Sequence, residues 1–321
     1  MGSLFSIGEV LIDFIPLQKG KALKDVISFE RVPGGAPANV AATVAKFGGN
    51  AALITKLGRD SFGDFLLEQL AQAGVNTDKI LRTNEANTGL AFVSLRENGE
   101  RDFSFYRNPS ADLLLSDTEI EENWFDEGDI LHFCSVDLVD SRMKQAHVKA
   151  IQSAKARGGI ISFDPDVRLP LWNSPQECRG TILDFIPISH VVKISDEELD
   201  FITGIADEKK AIESLFTGDV KVVVFTKGSQ GAELYIQNKK YTSMGYHVKV
   251  EDTTGAGDAF IGGFLYQLLN KNTNQHNLVD VVKEHHKDIL AFANASGALT
   301  TTGKGAISSV PSKEDIFLLL G

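Results

Sequence analysis

Val250-Glu251-Asp252-Thr253-Thr254-Gly255-Ala256-Gly257-Asp258-Ala259-Phe260 is a polar, glycine-rich turn that runs directly into an apolar segment over residues 261–270. That segment is apolar nearly all round, so it is expected to be a buried helix. Gly255, Ala256 and Gly257 would leave backbone N–H groups sterically bare at its N-terminus, where the helix dipole also favours a phosphate or a developing oxyanion. Asp258 falls in the first turn, where the same dipole favours its ionised form. A fixed carboxylate beside an anion-binding turn can accept the proton of an alcohol during phosphoryl transfer. Read alone, the turn is also compatible with an ordinary capped helix carrying a first-turn charge. The dinucleotide pattern GxGxxG starts at Gly255 and Gly257 but meets Phe260 where the third glycine belongs, and it lies late in the chain. Both points disfavour a Rossmann oxidoreductase. No Walker A loop is present either, since Gly303-Lys304 is followed by Gly305 and Ala298 stands at the first glycine position.

Outward from this turn the chain alternates strand and helix. An apolar, β-branched run over residues 4–14 opens the sequence. Residues 37–47 have helical spacing and end at Gly48-Gly49, a helix stop signal. Strand 51–57, helix 61–73, strand 130–135, helix 142–157, strands 160–164 and 191–194 and helix 196–203 follow. The run 220–226 is Val-rich on both faces, as a strand covered by helices on both sides should be. The rhythm predicts an α/β layered fold with a mainly parallel sheet. Two regions break it. Residues 14–32 lack helical period and turn at Gln18-Lys19-Gly20-Lys21. Residues 89–106 alternate around Glu97-Asn98-Gly99-Glu100, a hairpin signal. These extended insertions either pair into a small separate sheet or form ordinary edge hairpins. No repeat or linker divides the chain, so one continuous domain is expected.

Composition bounds the function. The 321 residues carry 32 Lys+Arg against 43 Asp+Glu, a net charge of −11, with 43 % hydrophobic residues. An acidic chain is a poor generic binder of nucleic acid or anionic membrane. The longest uncharged stretch, 289–303, is too short and too polar to span a bilayer. The N-terminal run holds Glu9 and Asp13, which is unlike a signal peptide. Cys134 and Cys178 lack CxxC spacing and read as reduced, buried thiols. A cytoplasmic protein is expected.

A second glycine turn, Pro33-Gly34-Gly35-Ala36-Pro37-Ala38-Asn39-Val40-Ala41, lets a ligand approach the backbone closely. Asn39 would offer a donor and an acceptor to sugar hydroxyls. A tight turn with a satisfied Asn is the alternative.

Taken together, the two turns resemble the two signature regions of the pfkB (ribokinase-like) carbohydrate kinases, and the resemblance extends over essentially the whole chain. Within that family the fructokinase branch is the most similar, through Gly34–Asn39, Phe105-Tyr106-Arg107-Asn108-Pro109-Ser110-Ala111-Asp112, Arg168-Leu169-Pro170-Leu171-Trp172, Lys193-Ile194-Ser195-Asp196-Glu197-Glu198 and Gly297-Ala298-Leu299-Thr300-Thr301-Thr302. The resemblance implies a ribokinase-like three-layer α/β/α sandwich, a single kinase domain over 1–321 with a small β-sheet lid from insertions 14–32 and 89–107. It also implies a phosphotransferase acting on an alcohol, with ATP as donor and fructose as acceptor. Ketodeoxygluconate kinase is the close alternative, and a non-catalytic sugar or nucleotide sensor the distant one.

By matching position, Asp258 would be the catalytic base and Gly255, Ala256 and Gly257 the anion hole. Asp13, Gly34, Gly35, Asn39 and Arg107 would hold the sugar, with Arg107 reaching in from the lid. Arg168, Lys193, Thr226, Lys227, Gly228, Gly231, Gly255, Gly257, Asn294 and Ala298 would contact ATP. Thr226–Gly231 is independently a polar loop at a strand's C-terminal end, the usual ligand edge of an α/β sheet. Magnesium is implied with ATP, handled through Glu198, and potassium beside the anion-hole turn, on Asp252, Thr254 and carbonyls of 302–308. The seven His show no metal-binding spacing. Two departures from the family pattern stand out: Ser195-x-x-Glu198 replaces N-x-x-E, and Asp166 replaces an Asn. Exposed lid strands further predict a homodimer by edge pairing.

Overall fold

The computed structural model describes residues 2–18, 20–95 and 101–321; the turns expected at Lys19 and at 97–100 lie outside the described residues. The strands, in chain order, are β1 Leu4–Ile7, β2 Leu11–Pro16, β3 Phe29–Gly34, β4 Ala51–Gly58, β5 Ile80–Thr83, β6 Leu90–Leu95 and β7 Arg101–Tyr106, then β8 Ile130–Cys134, β9 Ile160–Asp164, β10 Val191–Ser195, β11 Val222–Thr226, β12 Ala232–Ile236 and β13 Lys239–Ser243. They form a nine-stranded sheet ordered β13-β12-β11-β10-β9-β8-β1-β4-β5 and a four-stranded sheet ordered β3-β2-β6-β7. The large sheet is parallel from β11 to β5, and the pairings β11–β12 and β12–β13 at its other end are antiparallel.

Alternation along β11 shows why the sheet is covered on both faces. Val222 and Val224 belong to one apolar core and Val223 and Phe225 to the other. The first core contains the helices Ala36–Lys46, Ser61–Gln72, Ala256–Asn270 and Leu278–Thr300, the second Arg142–Ala156, Pro175–Phe185, Asp196–Thr203 and Glu208–Ser214. Successive strand residues point to opposite faces, so a strand covered on both sides is apolar throughout. The outcome is the expected three-layer α/β/α arrangement.

The opening run is a correction. Residues 4–14 are two strands in different sheets, because the chain breaks at Gly8 (φ 146°), beside the Pro37 ring. The break sends β2 out of the main sheet to pair antiparallel with β3 and parallel with β6. Phe14 stacks on Phe92 at 4.7 Å, and Phe29 meets Phe92 edge-on at 5.4 Å, tying these strands together. The two insertions therefore do form a separate small sheet.

Strand order reverses around β1. The chain lays β4 on one side of β1 and later returns to lay β8 on the other, with Ile7 opposite Phe133. Such a reversal opens a crevice at the carboxyl ends of the strands. Glu9, Asp137, Asp166 and the loop after Thr226 all follow strands ending on that edge. Among the described residues no helix is long and apolar enough to cross a membrane, and Cys134 and Cys178 are both free and buried.

Candidate active site

Asp258 and Asn39 are brought together at this edge. Gly255 adopts φ 76° as the N-cap of the helix Ala256–Asn270, and Gly35 adopts φ 109° as the N-cap of Ala36–Lys46. Both conformations strain a side chain, and space forbids one as well. A Cβ on Gly255 would lie 2.8 Å from the Ala306 Cα, and one on Gly35 2.5 Å from the Glu9 carbonyl. The two helix starts then converge, and Asn39 Nδ2 donates to Asp258 Oδ2 over 2.8 Å. Asn39 is buried, and its Oδ1 has no partner among the described residues. Asp13, on β2, lies against Gly34, where any Cβ would run into its carboxylate.

Asp258 is half-buried. Desolvation raises its pKa and the nearby Asp166 adds to that, while the Asn39 hydrogen bond, Lys193 and Arg168 pull it down. The result is a carboxyl pushed up to about 6. It is therefore ionised at neutral pH yet basic enough to take a proton, the compromise a general base needs.

Lys193 is held inside the protein. It is buried on β10, its Nζ 2.8 Å from Asp164 Oδ2 at the end of β9, and a Cβ on Gly257 would stand 3.4 Å from the same Nζ. Desolvation opposes its charge, but Asp164 and Glu198 outweigh it and hold the ammonium protonated. A fixed cation thus sits beside the glycine turn. Arg168 adds a second, half exposed and 2.7 Å from Asp166 Oδ1. Asp166 itself has φ 43°, a left-handed conformation that Asp and Asn both tolerate. The Asp-for-Asn departure therefore keeps the backbone and adds a charge next to Arg168.

The Ser195 departure has a plain local reading. Ser195 N and Oγ both donate to Glu198 Oε2, at 3.0 and 2.7 Å, in a capping-box arrangement at the start of Asp196–Thr203. Glu198 Oε1 accepts from Val167 N at 2.8 Å, which fastens the Arg168 loop to the helix. Desolvation raises the Glu198 pKa, but Lys193 and these hydrogen bonds leave it below the usual carboxylate range. Asp252 Oδ1 accepts from Thr254 N and Oγ1, at 3.0 and 2.6 Å, and its Oδ2 accepts from Gly305 N at 3.1 Å. The turn before the helix is thereby joined to the 302–308 loop. Among the described residues no group of three or more His, Cys, Asp or Glu is placed to hold a metal by itself.

Further along the edge, Thr226 ends β11, and Gly228 and Gly231 take φ 52° and 99° in the loop that follows. Lys227 is engaged by Glu208 and Glu233, at 3.0 and 3.1 Å, so its ammonium is already paired within the protein. Asn294 is buried and donates to Ser243 Oγ at 3.0 Å, joining the long helix to the end of β13; Ala298 lies one turn further along that helix.

Arg107 follows β7, at the end of the second insertion. It is buried, and its guanidinium is ion-paired to both Asp112 and Asp137. Asp112 and Asp137 were not singled out from sequence, nor was Glu9, whose Oε1 accepts from Ala36 N at 3.1 Å. The sequence signals were a charge inside an apolar opening run for Glu9 and the end of the 105–112 stretch for Asp112.

The family model of the pfkB family carbohydrate kinases matches residues 1–313. Fructokinase-2 of Zea mays is 42 % identical over 308 residues, 96 % of this chain and 90 % of its own length. The crystal structure of a fructokinase with bound ATP from Xylella fastidiosa superposes with a TM-score of 0.90 at 35 % identity, covering 99 % of this chain and 98 % of its own. A fructokinase double mutant from Vibrio cholerae O395, bound to fructose, ADP and a potassium ion, gives 0.88 at 34 % identity, covering 100 % and 99 %.

Proposed function

The chain belongs to the pfkB family of carbohydrate kinases, and from that premise we propose that it is an ATP-dependent fructokinase making fructose 6-phosphate. It is a phosphotransferase with an alcohol group as acceptor. The observation that carries the proposal is the Asn39–Asp258 hydrogen bond at the bare helix N-terminus of Gly255–Gly257.

In this reading Asp13, Gly34, Gly35 and Asn39 hold the sugar, and Arg107 braces that wall from behind. The terminal hydroxyl attacks the γ-phosphoryl group in line, and Asp258 accepts its proton. Backbone N–H groups of Gly255, Ala256 and Gly257 receive the developing charge, with Lys193 and Arg168 as fixed cations. Thr226, Gly228, Gly231, Asn294 and Ala298 line the nucleotide side, together with the Lys227 backbone.

The chain's own carboxylates fit metals that arrive with the substrates rather than a resident metal cage. Magnesium carried by ATP keeps much of its water shell and would meet Glu198 through water, supplying charge neutralisation at the phosphates. Potassium would take oxygen donors from Asp252, Thr254 and the 302–308 loop, which Asp252 already joins. The small sheet would act as a lid, closing to exclude water and suppress ATP hydrolysis. Its exposed strands support homodimerisation by edge pairing; light scattering that finds a monomer at micromolar concentration would contradict this. Two free, buried thiols fit a reducing compartment such as the cytoplasm.

Coupled ADP-release assays with fructose, ketodeoxygluconate, ribose and adenosine test the proposal. Fructose-dependent release with the highest kcat/KM is expected. Binding without sugar-dependent release would mark a sensor instead.

A further inference from the structure

We propose that Asp137 is a specificity-determining residue, which with Asp112 more than neutralises Arg107 behind the sugar wall and so restricts this kinase to uncharged sugars, excluding sugar acids. The inference deepens the kinase reading above and rests on it.

Topology places the groups together. β1 and β8 are neighbours in the sheet, so Glu9 and Asp137, each just past its strand's carboxyl end, emerge side by side. Arg107 follows β7, the strand that pairs through β6 to β2, which carries Asp13. It enters this corner from the small sheet and meets Asp137 and Asp112 as ion-pair partners. Gly89 lies against the pair: a Cβ there would make ordinary contacts with Arg107 Cγ at 3.4 Å and Asp112 Oδ1 at 3.5 Å. Glu9 closes the group from the other side and also holds Ala36 N at the sugar-loop helix start.

Four residues, three acidic and one basic, are thus buried, and Glu9 joins the group to the loop Gly34–Asn39 through Ala36 N. With Arg107 and Asp112 as an ion pair, the cluster passes from neutral to doubly negative as Glu9 and Asp137 lose their protons. It never becomes positive. Burial raises the pKa of both, with Arg107 opposing, and Asp137 reaches about 7. A carboxylate-bearing sugar needs an unpaired cation, and Arg107 is a cation at this end of the site. Here its charge is shared between two aspartates, with Nε left without an acceptor, and Glu9 Oε2 and Asp137 Oδ2 stand with no hydrogen-bond donor among the described residues. An incoming carboxylate would meet like charge, the repulsive element that discrimination uses. A neutral sugar meets no such penalty.

The test compares kcat/KM for fructose, ribose and 2-keto-3-deoxygluconate in the wild-type protein, Asp137→Asn and Asp137→Ser. Thermal melts report folding, and the sugar acid is also run as an inhibitor. The expected result is a neutral sugar favoured at least a hundredfold over the acid in the wild type. In both variants the acid-to-neutral ratio should rise tenfold or more, through KM, with a matching fall in the inhibition constant of the acid. A wild type that uses the acid within tenfold of its best neutral sugar overturns the inference, whether or not either variant folds. So does an unchanged ratio in a folded variant. Ribose used in preference to both would retain the inference while overturning the fructose reading, so the two failures are distinguishable.

Discussion

Asn39 Nδ2 donates to Asp258 Oδ2 over 2.8 Å, tying the first turn of one helix to the first turn of another that lies 219 positions later. Each glycine turn is therefore positioned partly by the other, and the donated hydrogen bond holds the Asp258 pKa down against desolvation. Replacing Asn39 by Ala should remove about 1 kcal/mol of stability. It should also move the acid limb of kcat/KM to higher pH, because Asp258 loses a group that favours its ionised form. A limb that stays in place would contradict the coupling.

The wild-type pH profile follows from the same carboxyl. Its pKa in the folded protein is about 6, above the ordinary 3.8. A base must be deprotonated, so kcat/KM should be flat above pH 7 and fall tenfold per unit well below 6. The stability sign is opposite to that of a salt-bridged Asp. The fold binds this proton more tightly than the unfolded chain does, so the ionised group destabilises at neutral pH and ceases to as pH falls through 6 towards 3.8. Asp258→Asn should accordingly melt no lower than wild type at pH 7.5, as differential scanning calorimetry would read.

Gly255 and Gly257 should fail in different ways. Gly255 combines a positive φ with close contact to Ala306, so Gly255→Ala should lower the melting temperature and the activity together. Gly257 lacks positive φ, and its Cβ would meet only the Lys193 ammonium, at 3.4 Å. Gly257→Ala should fold normally and lower kcat, because the added methyl would take space beside the Lys193 ammonium that the transferred phosphoryl group needs. Equal melting losses in the two variants would contradict this separation.

Ser195→Ala should cost about 1 kcal/mol in urea unfolding through loss of the helix cap. Because Ser195 also fixes Glu198, at 2.7 Å, the magnesium concentration for half-maximal activity should rise with it. Lost stability with an unchanged magnesium requirement would argue that Glu198 serves only the cap.

How much of this was legible in the sequence depends on range. The turn at Gly255–Asp258, the turn at Gly34–Asn39 and the doubly buried strand ending at Thr226 could be read because glycine geometry and strand alternation are local properties. The break at Gly8 was not, since an apolar run gives no sign of which sheet each half joins until Pro37 packs against that glycine. The surroundings of Lys193 and Arg107 were hidden for a different reason. Asp164 neighbours Lys193, and Asp137 neighbours Glu9, only because parallel strands far apart in sequence lie side by side, and strand order is not written in any one segment. Ser195-x-x-Glu198 carries a helix-start pattern in its own residues, which the capping box bears out.

The central claim is that Asp258 takes the proton of the sugar hydroxyl. Steady-state ADP release with fructose, measured on Asp258→Asn beside calorimetric titration with ATP, tests it most directly. Turnover should fall by about 10³-fold or more while ATP affinity stays within a few fold of wild type. Near-normal turnover in the folded variant would contradict the account.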